Sequence, residues 1–190
     1  NFFQKDFVCN IYGKKDKLSM EEVFSHLHNY TFWPVEIPMY QAKLNLKTFP
    51  KDGIELSDSI KISAQLHGHP NGANSYRLDL GNKSIVYSTD IEHPETNLNP
   101  NVIDIAKDAD ILIKDAQFTD EQLEAHKGWG HSSWQQCVEV ANRANVKKLI
   151  LFHHSPANDD NAIRKIEEEA QIIRPNTMAA RQGLEIKIPK

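Results

Sequence analysis

The chain has 190 residues, of which 39% are hydrophobic and 25% are charged, so it can bury a core and does not have the composition of a disordered segment. Its formal net charge of −4 argues against a broad, sequence-independent grip on nucleic acid, which needs many Lys and Arg side chains facing phosphates. The length predicts one domain over residues 1–190. Two distant cysteines suit a reducing compartment such as the cytoplasm, and no apolar run approaches the roughly 20 residues of a membrane helix.

The first half of the chain shows mainly strand patterns. Apolar and polar residues alternate with the period of a half-buried strand, and Ser19 with Glu22 forms a capping box for one helix. Gly81-Asn82 is a typical two-residue hairpin turn. The predicted elements are a strand Phe7–Tyr12, a helix Met20–Tyr30, a loop Thr31–Met39, strands Leu44–Thr48 and Ile60–Leu66, and a hairpin of Ser75–Leu80 with Lys83–Ser88.

The second half alternates between short apolar strands and amphipathic helices. A meander of strands followed by this alternation is typical of a layered α/β protein, in which helices cover one face of a mixed sheet. The predicted elements are a helix Val102–Lys107, a strand Ile111–Lys114, a helix Thr119–Ala125, a helix from Ser132 or Ser133 to about Ala144, a strand Lys148–Phe152, a helix Asp160–Ile172 and a strand Leu184–Ile188.

Imidazole and carboxylate side chains stand at the ends of several predicted strands. Strand ends on one side of such a domain open into a common crevice, and His with Asp and without Cys suits a hydrolytic Zn or Mn site. A single His at a strand end is more often a hydrogen-bonded loop residue, so the pattern alone leaves a metal site and ordinary loops about equally supported. The residues concerned are His67, His69, Asp90, Asp115, His153 and His154.

Five runs carry a resemblance to a known family. They are His69–Arg77 (HPNGANSYR), Tyr87–Asp90 (YSTD), Asp110–Phe118 (DILIKDAQF), Gly130–Ser133 (GHSS) and Ala144–His153 (ANVKKLILFH). Together they are similar to the metallo-β-lactamase superfamily, and they look closest to its branch of tRNA 3′-processing endonucleases and phosphoribosyl cyclic phosphodiesterases. The resemblance implies an α/β fold that is part of the αββα sandwich, with mixed sheets and helices on the outer faces.

The same resemblance implies a site with two divalent metal ions, Zn or Mn, in the complete protein. His69 matches a ligand of one metal, Asp90 the carboxylate that bridges both metals, and His153 the last ligand of the other. His131 matches the histidine that protonates the leaving oxygen, and Asp115 matches the acidic residue that orients it. The expected roles are therefore metal binding for the first three residues and catalysis for the last two.

The superfamily signature His-x-His-x-Asp-His, which supplies most of the remaining ligands, does not occur in these residues. We expect it shortly upstream of Asn1, so the domain is predicted to be N-terminally incomplete and its metal site to be incomplete. Three ligands drawn from two different metal shells cannot form a four-coordinate site. The chain by itself is therefore expected to be inactive.

The residues after His153 bear on the substrate. The tRNA-processing branch is usually basic there, whereas this chain continues as HSPANDD from residue 154 to residue 160, which is acidic. This favours a small phosphodiester or a related ester as the substrate. Nucleic acid remains possible but is not favoured. A homodimer is also possible. A tRNA 3′-processing endoribonuclease remains an alternative, and so does a non-catalytic module that binds a metal or a partner. His67, His154, Trp129, Trp134 and Cys137 are predicted to have structural roles.

Overall fold

The structure is a computed structural model that describes residues 2–14, 17–31, 33–35, 39–95 and 97–188. The chain divides into two compact units, residues 1–51 and residues 52–190. The single domain over residues 1–190 stays a prediction. Within the described ranges, every helix is too short or too polar to cross a membrane.

The described residues of the first unit form two strands and one helix. Strand β1 (Val8–Gly13) pairs in parallel with strand β2 (Lys43–Thr48), and helix α1 (Met20–Leu27) begins at the predicted capping box. The helix ends three residues earlier than predicted, because the Asn29 side chain donates to the His26 carbonyl and accepts from the Thr31 amide, which forms a turn. Part of the predicted 31–39 loop lies outside the described residues.

The second unit is built on a seven-stranded mixed sheet. Its strands lie side by side in chain order; β3 to β6 are antiparallel, and β6 to β9 are parallel. A positive φ at Gly81 allows the predicted tight turn between β5 and β6. The strands are β3 (Ile54–Ser57), β4 (Ile60–His67), β5 (Ala73–Leu80), β6 (Lys83–Ser88), β7 (Ile111–Asp115), β8 (Lys148–Phe152) and β9 (Thr177–Ala179).

Of the four helices among the described residues of this unit, three pack directly on the sheet. Helix α2 contacts β4 to β6, α4 contacts β7 and β8, and α5 contacts β9, while α3 packs against α4. Val86, Leu112, Leu149 and Leu151 from the strands join apolar side chains of α2, α4 and α5 in one buried core. The helices are α2 (Pro100–Ala106), α3 (Asp120–Ala125), α4 (Trp134–Arg143) and α5 (Asp160–Ile173). The predicted α/β class, with a mixed sheet and helices, is confirmed.

The predicted last strand is wrong. Residues 184–188 form no strand, although their burial alternates as a strand pattern would require. The place beside β8 is taken instead by β9, which pairs Leu149 with Thr177 and Leu151 with Ala179. A period of two shows which side chains are half-buried, but a strand also needs a neighbour to pair with. Strand β3 was not predicted, because it is short and mostly exposed.

Candidate active site

The central parallel strands bring the predicted site residues to one edge of the sheet. Asp115 ends β7, while Asp90 and His153 follow β6 and β8, the two strands that flank β7. Both Asp90 and His153 have positive φ, 56° and 58°, which is uncommon for residues other than Gly and costs on the order of 1 kcal/mol or more. Such strain concentrates at functional sites, where side chains must point in a fixed direction.

Asp90 and His153 face each other across this edge. The His153 Nε2 atom lies 3.5 Å from Asp90 Oδ1. Thr89 Oγ1 donates to Asp90 Oδ2 at 2.8 Å, and the Gln117 side-chain nitrogen lies 3.4 Å from His153 Nδ1. Each side chain is therefore also contacted at its second polar atom. Gln117 has no signal in the sequence beyond its place after β7.

Asp90, His131 and His153 form a cluster in which one potential ligand atom of each residue lies within 4.8 Å of the others. The His131 and His153 rings stack with centroids 5.0 Å apart, and the His69 ring lies edge-on to His131 at 6.2 Å. Gly130 also packs against His69, because a Cβ added at Gly130 would overlap the imidazole. The structure thus brings all four residues together, with His131 in place of His69 in the tightest group.

The donor set fits a divalent metal ion. Imidazole nitrogens and a carboxylate, with no thiolate among them, are the ligands of hydrolytic Zn and Mn sites. Cys137 cannot compete, because it is fully buried and burial raises the pKa of its thiol to about 12. Its Sγ donates instead to the Asp115 carbonyl at 2.7 Å.

His131 contacts a buried carboxylate, that of Asp115. The His131 Nδ1 atom lies 2.8 Å from Asp115 Oδ2, and Asp115 has no solvent exposure. The Asp115 carboxylate also accepts from the Gln117 and Ile91 amides at 3.1 Å and 3.4 Å. With Nδ1 beside Asp115, the other ring nitrogen of His131, Nε2, takes no part in that contact.

A buried hydrogen-bond circuit joins the end of β7 to the residues that follow Asp90 and His131. Lys114 Nζ donates to Ser132 Oγ at 3.0 Å, and Ser132 Oγ donates to the Ile91 carbonyl at 2.7 Å. The Ile91 amide in turn donates to the carboxylate of Asp115, which follows Lys114 in the chain. Lys114 is fully buried, and burial lowers the pKa of its amino group. The signal that sequence reasoning missed is a lysine directly after three apolar residues of a buried strand.

A second residue without a sequence signal holds the loop before His131. The Glu92 carboxylate accepts from the Gly128 amide at 2.7 Å and from the Gly130 amide at 2.8 Å. The Trp129 amide between them donates to the His126 carbonyl at 3.1 Å. Trp129 itself is 59% exposed, whereas Trp134 is buried at the start of α4.

The remaining histidines near the site are largely enclosed. Burial lowers the pKa of both His67 and His154, and lowers that of His93 to about 2 with help from the charge of Lys114. Neither ring nitrogen of His154 has a hydrogen-bond partner among the described residues. These features suit imidazoles that stay neutral inside the protein.

Comparison with known proteins identifies a family for this chain. The family model described as "Beta-lactamase superfamily domain" matches residues 17–154. Ribonuclease Z from Gemmatimonas aurantiaca is 40% identical over 83 residues, which cover 44% of this chain and 26% of that protein.

Two solved structures show the same fold. The metallo-beta-lactamase fold protein YhfI from Bacillus subtilis has a TM-score of 0.68 and 20% identity, over 93% of this chain and 64% of that one. A diphosphatase from the PhnP family has a TM-score of 0.60 and 20% identity, over 92% of this chain and 56% of that one. The chain spans 26–34% of the length of the first three curated relatives that it matches.

Proposed function

The chain belongs to the beta-lactamase superfamily, and from this we propose that the complete protein is a metal-dependent phosphodiesterase with His131 as general acid. The observation that carries the proposal is the pair of His131 and fully buried Asp115, set beside Asp90 and His153. Hydrolysis of a phosphodiester with a poor leaving group needs a proton donor at the departing oxygen. A positioned imidazole that belongs to this cluster supplies one.

In this proposal each residue has a defined task. His69, Asp90 and His153 hold two divalent ions, Zn or Mn, together with ligands from elsewhere in the protein. When bound, such ions supply an activated water and neutralise charge on the phosphoryl oxygens. Asp115 accepts from His131 Nδ1 and fixes the ring, so that Nε2 carries the proton to the leaving oxygen. Gln117 restrains the ring of His153.

The substrate proposed is a small or cyclic phosphodiester. The acidic residues after His153 support this, because a long nucleic acid would meet Asp159 and Asp160 where Lys or Arg would be needed. A tRNA 3′-processing endoribonuclease is the second candidate, since the first three curated relatives that the chain matches all carry the name Ribonuclease Z. Turnover of a precursor tRNA and of a cyclic phosphodiester by the same preparation separates the two.

The reaction class is tested with two chromogenic substrates. We expect the complete protein, loaded with Mn or Zn, to hydrolyse bis-p-nitrophenyl phosphate and to turn over the β-lactam nitrocefin far more slowly. The His131–Asp115 pair indicates a site for phosphodiesters, most of which need a proton at the leaving oxygen; bis-p-nitrophenyl phosphate reports this reaction class although its own leaving group needs no acid. Rates are compared as kcat/KM at the same metal content. Nitrocefin turnover equal to or above that of the phosphodiester would refute the proposal.

The circuit behind His131 makes its own prediction. Lys114→Met should increase hydrogen exchange of the amides at residues 128–132 and lower turnover of an alkyl phosphodiester by about 10- to 100-fold, as loss of a supporting residue does. The melting temperature should fall as well, because the variant removes a cation next to the buried Asp115 carboxylate, and loss of one partner of a buried charge pair is destabilising. Mass-spectrometric exchange and thermal melts provide the measurements.

Lys147→Met is the matched control, because Lys147 is exposed and pairs with Asp110 outside the site. Ser132→Ala removes the middle member of the circuit with a much smaller change. If Lys114 and Ser132 act together, the double variant loses less than the product of the two single losses. Unchanged exchange in both single variants would show that the circuit does not hold the loop.

A further inference from the structure

Trp129 is a large aromatic side chain that the fold keeps exposed and fixed beside His131. Its relative exposure is 59%, yet both neighbouring amides, those of Gly128 and Gly130, donate to the two oxygens of one carboxylate, that of Glu92. Both glycines have positive φ, 82° and 88°, which a side chain would strain. The loop therefore has a single conformation imposed on it, and that conformation leaves the indole in solvent.

The indole is also braced by its neighbours. Its ring meets the His126 ring edge-on with centroids 4.7 Å apart, and it lies edge-on to Phe118 at 6.4 Å. Phe118 stacks on His126 at 4.3 Å and lies 6.1 Å from the His131 ring. Trp129 thus extends an aromatic group that reaches His131, with one part of its surface left uncovered.

We propose that Trp129 is a stacking platform for a nucleoside on the leaving side of the scissile phosphodiester. The side is assigned from the aromatic group itself, because the Phe118 ring lies 6.4 Å from the Trp129 ring and 6.1 Å from the ring of His131, the proposed donor to the leaving oxygen. A rigid indole binds a flat ring without the entropic cost of ordering itself. Base-on-aromatic stacking tolerates every base, so little discrimination among the four bases is expected.

This inference names the substrate class of the proposed phosphodiesterase and rests on that function for the assignment of the leaving side. The nucleoside could belong to a small nucleotide or to the end of an RNA, since both present a base next to a phosphodiester. The shared chemistry is a base stacked on the indole. Stacking is measured by binding, which needs no turnover.

The test compares two ligands that differ only by the base. Adenosine 5′-monophosphate and ribose 5-phosphate are titrated calorimetrically into the complete, metal-loaded protein and into its Trp129→Ala, Trp129→Phe and Trp33→Ala variants. In the parent, the adenosine ligand should bind more tightly. Trp129→Ala should weaken its binding about 5- to 150-fold, which is the ~1–3 kcal/mol of one stacked base at 1.4 kcal/mol per factor of ten. Trp129→Phe should retain most of the difference, and binding of ribose 5-phosphate should be unchanged throughout.

Trp33→Ala is the matched control, because Trp33 is similarly exposed, at 51%, and lies in the other unit. A short oligoadenylate that binds more tightly than the mononucleotide identifies RNA as the source, and equal or weaker binding identifies a small nucleotide. Equal affinity of the parent for the two phosphate ligands, or an equal loss of both in Trp129→Ala, would overturn the platform. Base-dependent binding in a protein that hydrolyses no phosphodiester would keep the platform and reject the proposed function.

Discussion

Replacing His131 with Ala should lower turnover of an alkyl phosphodiester by about 10²- to 10⁴-fold, the usual contribution of a general acid. The same variant should lose much less with a p-nitrophenyl leaving group, since p-nitrophenolate departs without a proton. The structure supports this dependence, because the Asp115 carboxylate occupies His131 Nδ1 and leaves Nε2 as the atom that can donate. Single-turnover rates with the two substrates, measured at equal metal content, give the ratio.

Two other roles for His131 make different predictions. A structural role at the start of α4 is tested by Ser133→Ala, since Ser133 is the observed N-cap and accepts from the Gln136 amide. Loss of that cap should cost about 1 kcal/mol of stability and affect both leaving groups alike. A ligand role is raised by the closeness of His131 to Asp90 and His153. A His131→Ala protein that loses metal, or that slows equally on both substrates, would show that His131 is not the acid.

The sequence predicts the central strands well, because their burial leaves a direct mark on composition. Strands β7 and β8 are short apolar runs that lie between other strands and under helices, so their bounds are predicted to within one residue. Strand β9 carries no such mark, since Thr177 and Ala179 are buried by their pairing with β8 and not by a hydrophobic pattern of their own. Pairing between distant segments is what a local pattern cannot show.

In the candidate site, too, some residues can be predicted from the sequence and others cannot. Asp90, Asp115 and His153 stand at strand ends, and sheet topology alone places strand ends together. Their supports are different in kind. Glu92 binds amides 36 and 38 residues away, and Lys114 reaches a serine 18 residues away, so no spacing in the sequence points to either contact. Supporting residues such as these can be identified only from the folded structure, because their contacts join segments that are distant in the sequence.

His153→Ala should have the reverse signature to His131→Ala. It removes a proposed terminal ligand, so metal content should fall and turnover of alkyl and p-nitrophenyl phosphodiesters should fall together. Residues that only support a ligand already contribute about 10- to 100-fold to metal affinity or activity, so loss of the ligand itself should exceed about 100-fold. Metal content by inductively coupled plasma mass spectrometry, measured beside both rates, provides the test in the complete protein.

His154→Ala is the matched control, because it removes the adjacent imidazole, which is half-buried and has no hydrogen-bond partner at either ring nitrogen among the described residues. That variant should keep its metal. Excess metal should restore part of the His153→Ala activity, since binding weakened by loss of a ligand recovers by mass action. Full metal content in His153→Ala would contradict the ligand assignment. The positive φ of His153, 58°, places its ring 3.5 Å from Asp90. Without a ligand role, this strained backbone conformation would need another explanation.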